Sequence, residues 1–375
     1  SKAGYKTQST TQTVKVGGQI VIGTIKVVEN SNESGTAIAA NGALTGKDLY
    51  ITFSHSIASG STSVSPSLPY KVTKNGTYTF TVTGTSNGIT SKKTVSVTVN
   101  QYMSSSTGSN PYLPGNDFKK VDGTDLSNGL VIEDKDGNQF VWVPVATLAD
   151  YKRTGYSEDG SFSSYSEALP EDEKTSVERY KGFYIGRYEA GDKESTKSKT
   201  LRSSNDVTKT VTIKANQAPY NNVKIAQAIS LAESFATKQG HKAKTKLVSS
   251  YAWDTTIAFI EKTVNNYGSS SSQGNYNDES VTYKDITDES KPEKTKAENS
   301  SLLVATGQTT PVCNIYDMGG NVWEWTTELC SDINGVYSNR GGTYQGFYAE
   351  HPAGLRDRYS DISGDLGFRI ALFID

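Results

Sequence analysis

The stretch NIYDMGGNVWEW, residues 314–325, carries the strongest structural signal in the sequence. It joins a turn with two consecutive glycines to a segment in which two tryptophans flank a glutamate. The glycines allow a backbone turn that a Cβ atom would obstruct. Because side chains alternate along a strand, Trp323 and Trp325 share one face and Glu324 lies on the other. We therefore predict a core supported by the tryptophans, with Arg369 as the candidate ion-pair partner of Glu324.

Two shorter motifs follow this stretch, Arg340-Gly341-Gly342 and Gly367-Phe368-Arg369. The second leads into residues 369–374, an apolar run that we expect to form a buried terminal strand. Between the motifs lies a segment rich in Tyr, Ser, Asp, Gly and Arg. This contrast predicts that the motifs build a rigid frame and that the segment between them is displayed on the surface.

The composition sets limits on the class of protein. A chain of 375 residues should hold two or three domains. A hydrophobic share of 34% is low, but 22 Tyr and 11 Phe exclude simple disorder. A net charge of −2 gives no overall electrostatic signature of nucleic-acid binding, and no apolar run is long enough for a membrane span. The N-terminal residues do not read as a signal peptide.

The cysteines and histidines argue against a disulfide scaffold or a histidine-based metal site. Cys313 and Cys330 could form one disulfide, but we interpret them as small apolar residues near the core. The three histidines, His55, His241 and His351, are widely separated in the sequence, which disfavours a zinc site.

Residues 1–100 read as an all-β domain. Short β-branched runs alternate with turns, and Asn75-Gly76 is the residue pair that two-residue hairpin turns prefer, so residues 70–82 predict a hairpin. A second turn is predicted at residues 85–88. The stretch 70–99 resembles bacterial immunoglobulin-like domains, which implies a sandwich that serves as a spacer. Residues 101–128, rich in Ser and with two prolines, are predicted to be a linker and lead-in segment.

A second domain is predicted over residues 129–375. It should contain a hairpin about Asp136-Gly137, a strand at 182–189, and helices at about 222–239 and from about 249 onward. The charge run at 171–174 is predicted to be a solvated loop. Residues 266–299 are poor in apolar residues and are predicted to be a long, partly mobile surface loop.

The three motifs, in this order, resemble the formylglycine-generating-enzyme type of C-type lectin fold. The strand at 182–189 is similar to that family's opening strand, and the two helices stand where its helices would. The predicted fold class is therefore multidomain: an all-β immunoglobulin-like sandwich followed by an α+β C-type lectin fold of the formylglycine-generating-enzyme subtype.

The resemblance raises the question of catalysis. The family's oxidase uses two cysteines near the Gly-Gly motif to bind copper and a substrate thiol. Counted from Gly341-Gly342, those positions are Gly346 and His351 here, and soft copper coordination needs the missing sulfur pair. We predict a non-catalytic protein with no catalytic residues. The alternatives are a degenerate or active oxidase of this type and a calcium-dependent carbohydrate adhesin.

The resemblance implies no cofactor apart from a structural calcium ion. In the family such a site uses a side chain and carbonyls around the tryptophan motif, which match Asp317, Gly320, Val322 and Glu324. Two carboxylates with carbonyl oxygens suit calcium. The alternative is that Asp317 caps a turn and Glu324 forms a structural ion pair. Thermal unfolding with and without a chelator distinguishes the two interpretations.

The non-catalytic branch of the family includes the variable proteins of diversity-generating retroelements. In these, adenines of a template are mutated, so that certain Asn codons become nearly any codon except those for Lys, Glu, Gln, Met or Trp. Residues 331–375 contain no Lys, Met or Trp, one Gln (Gln345) and one Glu (Glu350). This depletion fits that mechanism.

The segment also has the composition of a binding surface. Tyr supplies large contact area at modest entropic cost, and Ser and Asp supply adaptable polar contacts. The predicted surface spans about 333–363 and comprises Ile333, Val336, Tyr337, Ser338, Tyr344, Phe347, Tyr348, His351, Leu355, Asp357, Arg358, Tyr359, Ser360, Asp361 and Ser363. The predicted partner is a protein or glycan on a target cell or phage host, with no nucleic acid. The predicted location is a phage virion or a bacterial cell surface.

Overall fold

The computed structural model describes residues 16–28, 37, 49–73, 76–99 and, later in the chain, 113–374 apart from positions 116, 127, 157–160, 199, 242, 271, 289 and 360. The chain divides into two compact units, Ser1–Ser104 and Ser105–Asp375. The segment predicted as linker and lead-in, residues 101–128, supplies a strand, Phe118–Lys120, to the main sheet of the second unit.

The first unit consists of short antiparallel strands. They are β1 Ile20–Ile22, β2 Lys26–Val28, β3 Tyr50–Thr52, β4 His55–Ile57, β5 Gly60–Ser65, β6 Tyr70–Lys71, β7 Gly76–Ser86 and β8 Ile89–Val99. Within the described residues they pair as β1-β4, β2-β3-β6 and β5-β7-β8. Apolar side chains from all three groups, among them Ile20, Ile51 and Phe80, share one core. The described part of the unit is therefore all-β, as predicted.

The strongest hairpin prediction in this unit is wrong. The strands on either side of Asn75-Gly76 do not pair with each other: β6 pairs with β3, whereas β7 pairs with β5 and β8. The chain thus passes between sheets at this point, and position 75 itself lies outside the described residues. The two-residue hairpin turn is at Asn87-Gly88, where both residues have positive φ, 53° and 77°. The turn predicted at 85–88 is confirmed.

The second unit mixes helices with sheets. Its strands are β9 Phe118–Lys120, β10 Val131–Asp134, β11 Gln139–Pro144, β12 Tyr165–Ser166, β13 Gly182–Gly186, β14 Gly191–Asp192, β15 Val211–Thr212, β16 Ala218–Pro219, β17 Lys244–Leu247, β18 Val281–Tyr283, β19 Lys294–Lys296, β20 Trp323–Cys330, β21 Tyr337–Arg340, β22 Asp357–Tyr359, β23 Leu366–Phe368 and β24 Ile370–Phe373. Its helices are α1 Glu171–Tyr180, α2 Lys193–Lys197, α3 Ile225–Gln239, α4 Ser250–Ile260 and α5 Tyr267–Ser270, with short 3-10 turns at Leu148–Asp150 and Ser161–Ser164.

Two sheets organise this unit. The larger has the order β17-β24-β13-β11-β10-β9 and includes the predicted hairpin of β10 and β11 and the buried terminal strand β24. The smaller has the order β12-β20-β21-β22, and β23 pairs in parallel with β20. The core packs strand residues such as Phe183 against Trp253 and Ile257 of α4 and against Met318. The tryptophan motif therefore enters the smaller sheet through β20.

Both predicted long helices are present, and their ends follow the expected signals. Helix α3 ends at Gly240, which adopts the left-handed conformation with φ 79°. Helix α4 begins after Ser249, whose side chain accepts a hydrogen bond from the amide of Ala252. Their apolar faces are buried, as the periodicity predicts. Among the described residues, no helix combines the length and the apolar character needed to cross a bilayer.

Two predicted loops are ordered elements instead. The charge run 171–174 opens α1, and Glu173 is buried, where its carboxylate accepts hydrogen bonds from Tyr151 and Ser249. Acidic residues favour the first turn of a helix, which explains why a charged run begins one. Residues 266–299 contain α5 and the hairpin of β18 and β19. The cysteine interpretation holds within the described chain, where both thiols are free and buried.

Candidate ligand-binding surface

The tryptophan motif lies at the centre of the second unit. Trp323 and Trp325 are both buried, and the indole N–H of Trp325 donates to the Val223 carbonyl at 2.8 Å. Glu324 and Arg369 form a buried two-pronged ion pair, with Nε and Nη2 of the arginine 2.8 and 2.6 Å from the two carboxylate oxygens. The predicted ion pair is therefore confirmed, and it joins the first motif to the third.

Glycine is required where the motif turns. Gly320 has φ 72°, and a Cβ atom there would lie 2.6 Å from the backbone of Asn275. Gly342 has φ 76°, and its Cβ would lie 2.3 Å from the carbonyl oxygen of His351. Both positions combine positive φ with close backbone approach, so any side chain would force the neighbouring segments apart.

Asn321 connects the motif to three other segments. Its side-chain N–H group donates to Glu189 at 2.5 Å and to the Val304 carbonyl at 3.2 Å, and its oxygen accepts from Asn275 at 2.9 Å. The second oxygen of Glu189 is buried without a hydrogen-bond partner. Burial, together with the nearby carboxylates of Asp317 and Glu324, raises the pKa of Glu189 well above its usual value.

A buried charge network supports the segment that carries the second motif. Asp254 accepts from Arg340 and from Arg356, each at 2.5 Å. Glu328 accepts from Arg356 at 2.7 Å and from Arg153 at 2.6 Å. Burial opposes ionisation of Glu328, but the arginines hold its pKa below the usual value. Two arginines of the candidate surface segment therefore point inward and hold it to α4 and β20.

Other side chains of the same strands point to solvent. Leu329 of β20 is the cross-strand neighbour of Tyr337 in β21, and Tyr337 is the neighbour of Tyr359 in β22. Directly opposed residues share a face of a sheet. Leu329 is 41% exposed and Tyr359 is 37% exposed. We call these three residues the sheet row; Arg358, beside Tyr359, is also exposed.

A second exposed set follows the Gly-Gly motif. Phe347 is 42% exposed, Tyr348 is half-buried, and Gln345 and Glu350 are exposed. The backbone turns back on itself here, since the amides of Glu350 and His351 both donate to the Phe347 carbonyl. We call Gln345, Phe347, Tyr348 and Glu350 the loop group.

Most of the predicted surface residues are accessible. Those exposed or partly exposed are Ile333, Val336, Tyr337, Tyr344, Phe347, Tyr348, His351, Asp357, Arg358, Tyr359, Asp361 and Ser363. Two predictions are wrong: Ser338 is fully buried in β21, and Leu355 is buried, its carbonyl accepting from Arg340. Ser360 lies outside the described residues. Leu329 was missed because it precedes the segment and because strand alternation from the buried Trp325 would place it inward; the strand register shifts between Trp325 and Leu329, and Leu329 is exposed.

The two positions at which the family's oxidase has cysteines lie next to each other in space. A Cβ atom on Gly346 would be 2.7 Å from the Nδ1 atom of His351. The backbone thus brings these positions together, but one has no side chain and the other has an imidazole. No pair of sulfur ligands can form between them.

The residues matched to a calcium site are already engaged. Both oxygens of Glu324 accept from Arg369, and Asp317 accepts from the amide of Gly307 at 2.6 Å and the hydroxyl of Thr309 at 2.8 Å. Within the described residues, no cluster of three or more His, Cys, Asp or Glu could hold a metal ion. Carboxylates bound by protein donors do not fit a calcium ion at these oxygens.

Comparison with known protein families identifies the family of the second unit. The sulfatase-modifying factor enzyme 1-like domain family, FGE-sulfatase, matches residues 157–374, more than half of the chain. The chain belongs to this family. The resemblance of the three motifs is thereby confirmed, and the second unit has the C-type lectin-like fold of the FGE-sulfatase family. No curated protein matches the chain.

Several solved structures are similar to this FGE-sulfatase chain. CarF is 15% identical, covering 64% of this chain and 99% of its own, with a TM-score of 0.37. PvdO from Pseudomonas aeruginosa is 18% identical, with 65% and 97% covered and a TM-score of 0.35. Treponema denticola variable protein 1 is 13% identical, with 69% and 99% covered and a TM-score of 0.38.

Proposed function

We propose that this chain is a non-catalytic, hypervariable binding protein displayed on a phage or bacterial surface, and that residues 329–363 form its ligand-binding surface. One observation carries the proposal. The same short strands hold a buried network of charges on one side and exposed aromatic and aliphatic side chains on the other. Residues that hold the backbone and residues that face solvent are therefore different residues, side by side in the sequence.

Strand β22 and the residue before it make this separation plain. Arg356 is buried between Asp254 and Glu328, whereas Arg358 and Tyr359 are exposed. A change at Tyr359 leaves the buried ion pairs of Arg356 intact, and a change at Arg358 removes only a long contact, 3.9 Å from Nη1 to the Cys330 sulfur. A surface of this kind can vary in sequence while the backbone stays fixed, which is what a diversified binding protein requires.

The exposed chemistry suits recognition of a macromolecule. The sheet row presents two tyrosines and a leucine, and the exposed Arg358, which pairs with Ser338 and therefore lies on the other face of the edge strand β22, supplies a cation at the edge of the sheet. Tyr and Arg are among the residue types that contribute most to binding when an interface buries them. We expect the ligand to be a protein or glycan on another cell or on a phage host.

Gly346 and His351 support a function without oxidase chemistry. The competing hypothesis is a copper- and thiol-dependent oxidase, which needs sulfur ligands at these two positions. Copper binding, or oxygen uptake that depends on an added thiol, would favour the oxidase. We expect neither in the purified chain.

A saturation library tests the separation without knowledge of the ligand. Each position of the sheet row and the loop group, and Arg358, is substituted in turn by each of the other 19 amino acids. The variants are displayed on the surface of yeast cells, and folding is measured as resistance of the displayed chain to protease. We expect these positions to tolerate nearly every residue, apart from Tyr348, whose ring packs against Tyr276. The matched controls Ser338, Arg340, Leu355 and Arg356, which are buried in the same segment, should tolerate few. Equal intolerance at Tyr359 and Arg356 would contradict a display surface.

A binding experiment follows once a target cell is found. Alanine at Tyr348, Asp357 and Tyr359 should leave the melting temperature nearly unchanged and abolish binding to that cell. Loss of folding in these variants would assign the residues to the core instead.

The DNA beside the gene tests diversification directly. We expect a near-copy of the 3′ end of the gene that differs only at adenines, next to a gene for a reverse transcriptase. A locus without such a copy would remove the variable-protein part of the proposal and leave the binding surface to stand alone.

In this function the first unit would act as an immunoglobulin-like spacer.

A further inference from the structure

The hairpin of β18 and β19 carries a lysine whose charge is buried. Lys296 is 3% exposed, and its ammonium lies 2.6 Å from the carbonyl oxygen of Tyr276 and 2.5 Å from that of Glu279. The carbonyl of Ser300 is 3.0 Å away and that of Asn277 is 3.4 Å away. We call these four carbonyls the carbonyl cage. Four main-chain oxygens from two segments thus converge on one cation.

This arrangement needs the cation. Each carbonyl dipole directs its negative end toward the centre of the cage, so the four repel one another when no positive charge lies between them. An ammonium has three N–H donors and can satisfy several acceptors at once. Burial lowers the pKa of Lys296, and the carboxylates of Asp278 and Glu279 act in the opposite direction. The chain therefore supplies internally what a bound metal ion supplies in other carbonyl sites.

The segment held by the cage contacts the loop group directly. The amide of Asn277 donates to the Gly346 carbonyl at 2.8 Å, and the amide of Tyr348 donates to the Asp278 carboxylate at 3.2 Å. The rings of Tyr276 and Tyr348 meet edge to face, with centroids 6.4 Å apart. Three consecutive residues of the caged segment thus fix the backbone and one side chain of the loop group.

A further contact joins the cage to the Gly-Gly motif. The hydroxyl of Tyr276 donates to the carbonyl of Gly341 at 3.0 Å. The segment is therefore attached at both ends of the turn that begins with the motif and ends at Tyr348.

We propose that Lys296 is a positioning residue for ligand binding: its ammonium acts as an internal cation that orders residues 276–279, and these hold the loop group in its binding conformation. This inference rests on the proposed function of the loop group. The ammonium orders the protein's own backbone, so its effect can be measured on the free chain without any ligand.

Hydrogen exchange of the full chain gives the first test. Lys296→Met keeps the length of the side chain and removes the charge. We expect the amides of Asn277 and Tyr348 to exchange about tenfold faster or more, because local opening becomes easier. Amides of β24 should be unchanged. Lys284→Met is the matched control, since Lys284 lies in the same hairpin, carries the same charge and is exposed.

Chemical rescue separates a missing cation from general damage. Lys296→Ala removes three carbons and the ammonium, which together equal n-propylammonium. Added n-propylammonium should restore protection of the Tyr348 amide, whereas tetramethylammonium, which has no N–H donors, should not. A variant that had merely lost packing would not distinguish the two salts.

Two results would overturn the proposal. One is unchanged exchange at Asn277 and Tyr348 in Lys296→Met, and the other is equally faster exchange across β24. Because exchange is read without a ligand, either result leaves the proposed binding function intact. Conversely, ordering of the loop by Lys296 in a chain that binds nothing would reject the function and keep the positioning role.

Discussion

Three carboxylates, those of Glu189, Asp317 and Glu324, lie buried near the guanidinium of Arg369. Glu324 takes two hydrogen bonds from Arg369, and Asp317 is held by Gly307 and Thr309. Glu189 receives one hydrogen bond and keeps one oxygen without a partner. A buried carboxylate with an unsatisfied oxygen favours the protonated form. We infer that Glu189 keeps its proton to a higher pH than an exposed glutamate does and that this proton limits the repulsion among the three groups.

Glu189→Gln tests the protonation of Glu189. The pKa of Glu189 is raised on folding, so the native state binds more protons than the unfolded state above the unfolded pKa. The contribution of Glu189 to stability should therefore fall as the pH rises above about 4.3, the unperturbed value for Glu. Glutamine does not titrate. The free energy of unfolding of the variant, measured in urea titrations and compared with that of the natural chain, should therefore rise between pH 5 and pH 8. A constant difference across that range would mean that Glu189 is ionised in the folded chain.

Arg369→Met tests the ion pair with Glu324. It leaves a buried carboxylate unpaired, and we expect a loss of about 3–5 kcal/mol in the free energy of unfolding. Adding Glu324→Met removes the unpaired charge, so the double variant should recover much of that loss. Thermal or urea unfolding of the four chains gives the coupling energy. Additive losses would show that the two side chains do not depend on each other.

At the scale of elements, a histidine joins the start of the main sheet to the end of α3. Both ring nitrogens of His241 lie against carboxylates, with Nδ1 2.6 Å from Asp117 and Nε2 2.9 Å from Asp134. Two acceptors require two N–H donors, so the ring is an imidazolium. Burial alone would lower the pKa of His241, but Asp134 and Asp117 raise it above the usual value. The ring thereby bridges the lead-in to β9 and the end of β10.

His241→Gln should show how this bridge depends on pH. The folded pKa is raised, so the stabilisation is complete below about 6.5, the unperturbed value for His, and is lost as the pH rises through the folded pKa. We expect the variant to be roughly 1–3 kcal/mol less stable than the natural chain at pH 5.5. The difference should shrink above neutral pH, as measured by urea unfolding. A difference that grew with pH would contradict the imidazolium.

The smaller sheet shows how one element serves two purposes. In β20 the buried Glu328 and the exposed Leu329 are adjacent, and the register with β21 shifts between Trp325 and Leu329. The irregularity separates the part of the strand that carries the tryptophans from the part that carries the sheet row. Bulges commonly redirect side chains near functional sites in this way.

At the scale of the whole molecule, each unit has its own core. Residues of β1, β3 and β7 pack together in the first unit, and α4 packs on the strands of the second. Residues 105–375 should therefore fold alone, with a melting temperature within about 5 °C of the same transition in the full chain. Calorimetry of both chains provides the measurement. A fragment without a cooperative transition would show that the second unit needs the first.

Much of the fold could be predicted from the sequence because its signals are local or belong to compact motifs. Periodicity predicts α3 and α4, and Ser249 and Gly240 mark one end of each. The order of the three motifs is enough to indicate the family. Strand alternation places Glu324 on the face opposite the tryptophans, and Arg369, the cation of the third motif, is its candidate partner. Composition predicts the display segment, and most of its residues are accessible.

The sequence alone thus indicates the family and the C-type lectin-like fold of the second unit, and it predicts where a candidate surface lies. Which residues face outward depends on the folded chain, because residue type does not reveal a partner that is distant in the sequence. Arg356 and Arg358 are two positions apart, yet one is buried against Asp254 and the other is exposed. Lys296, in a stretch that reads as a polar loop, is buried because four carbonyls from other residues replace its water.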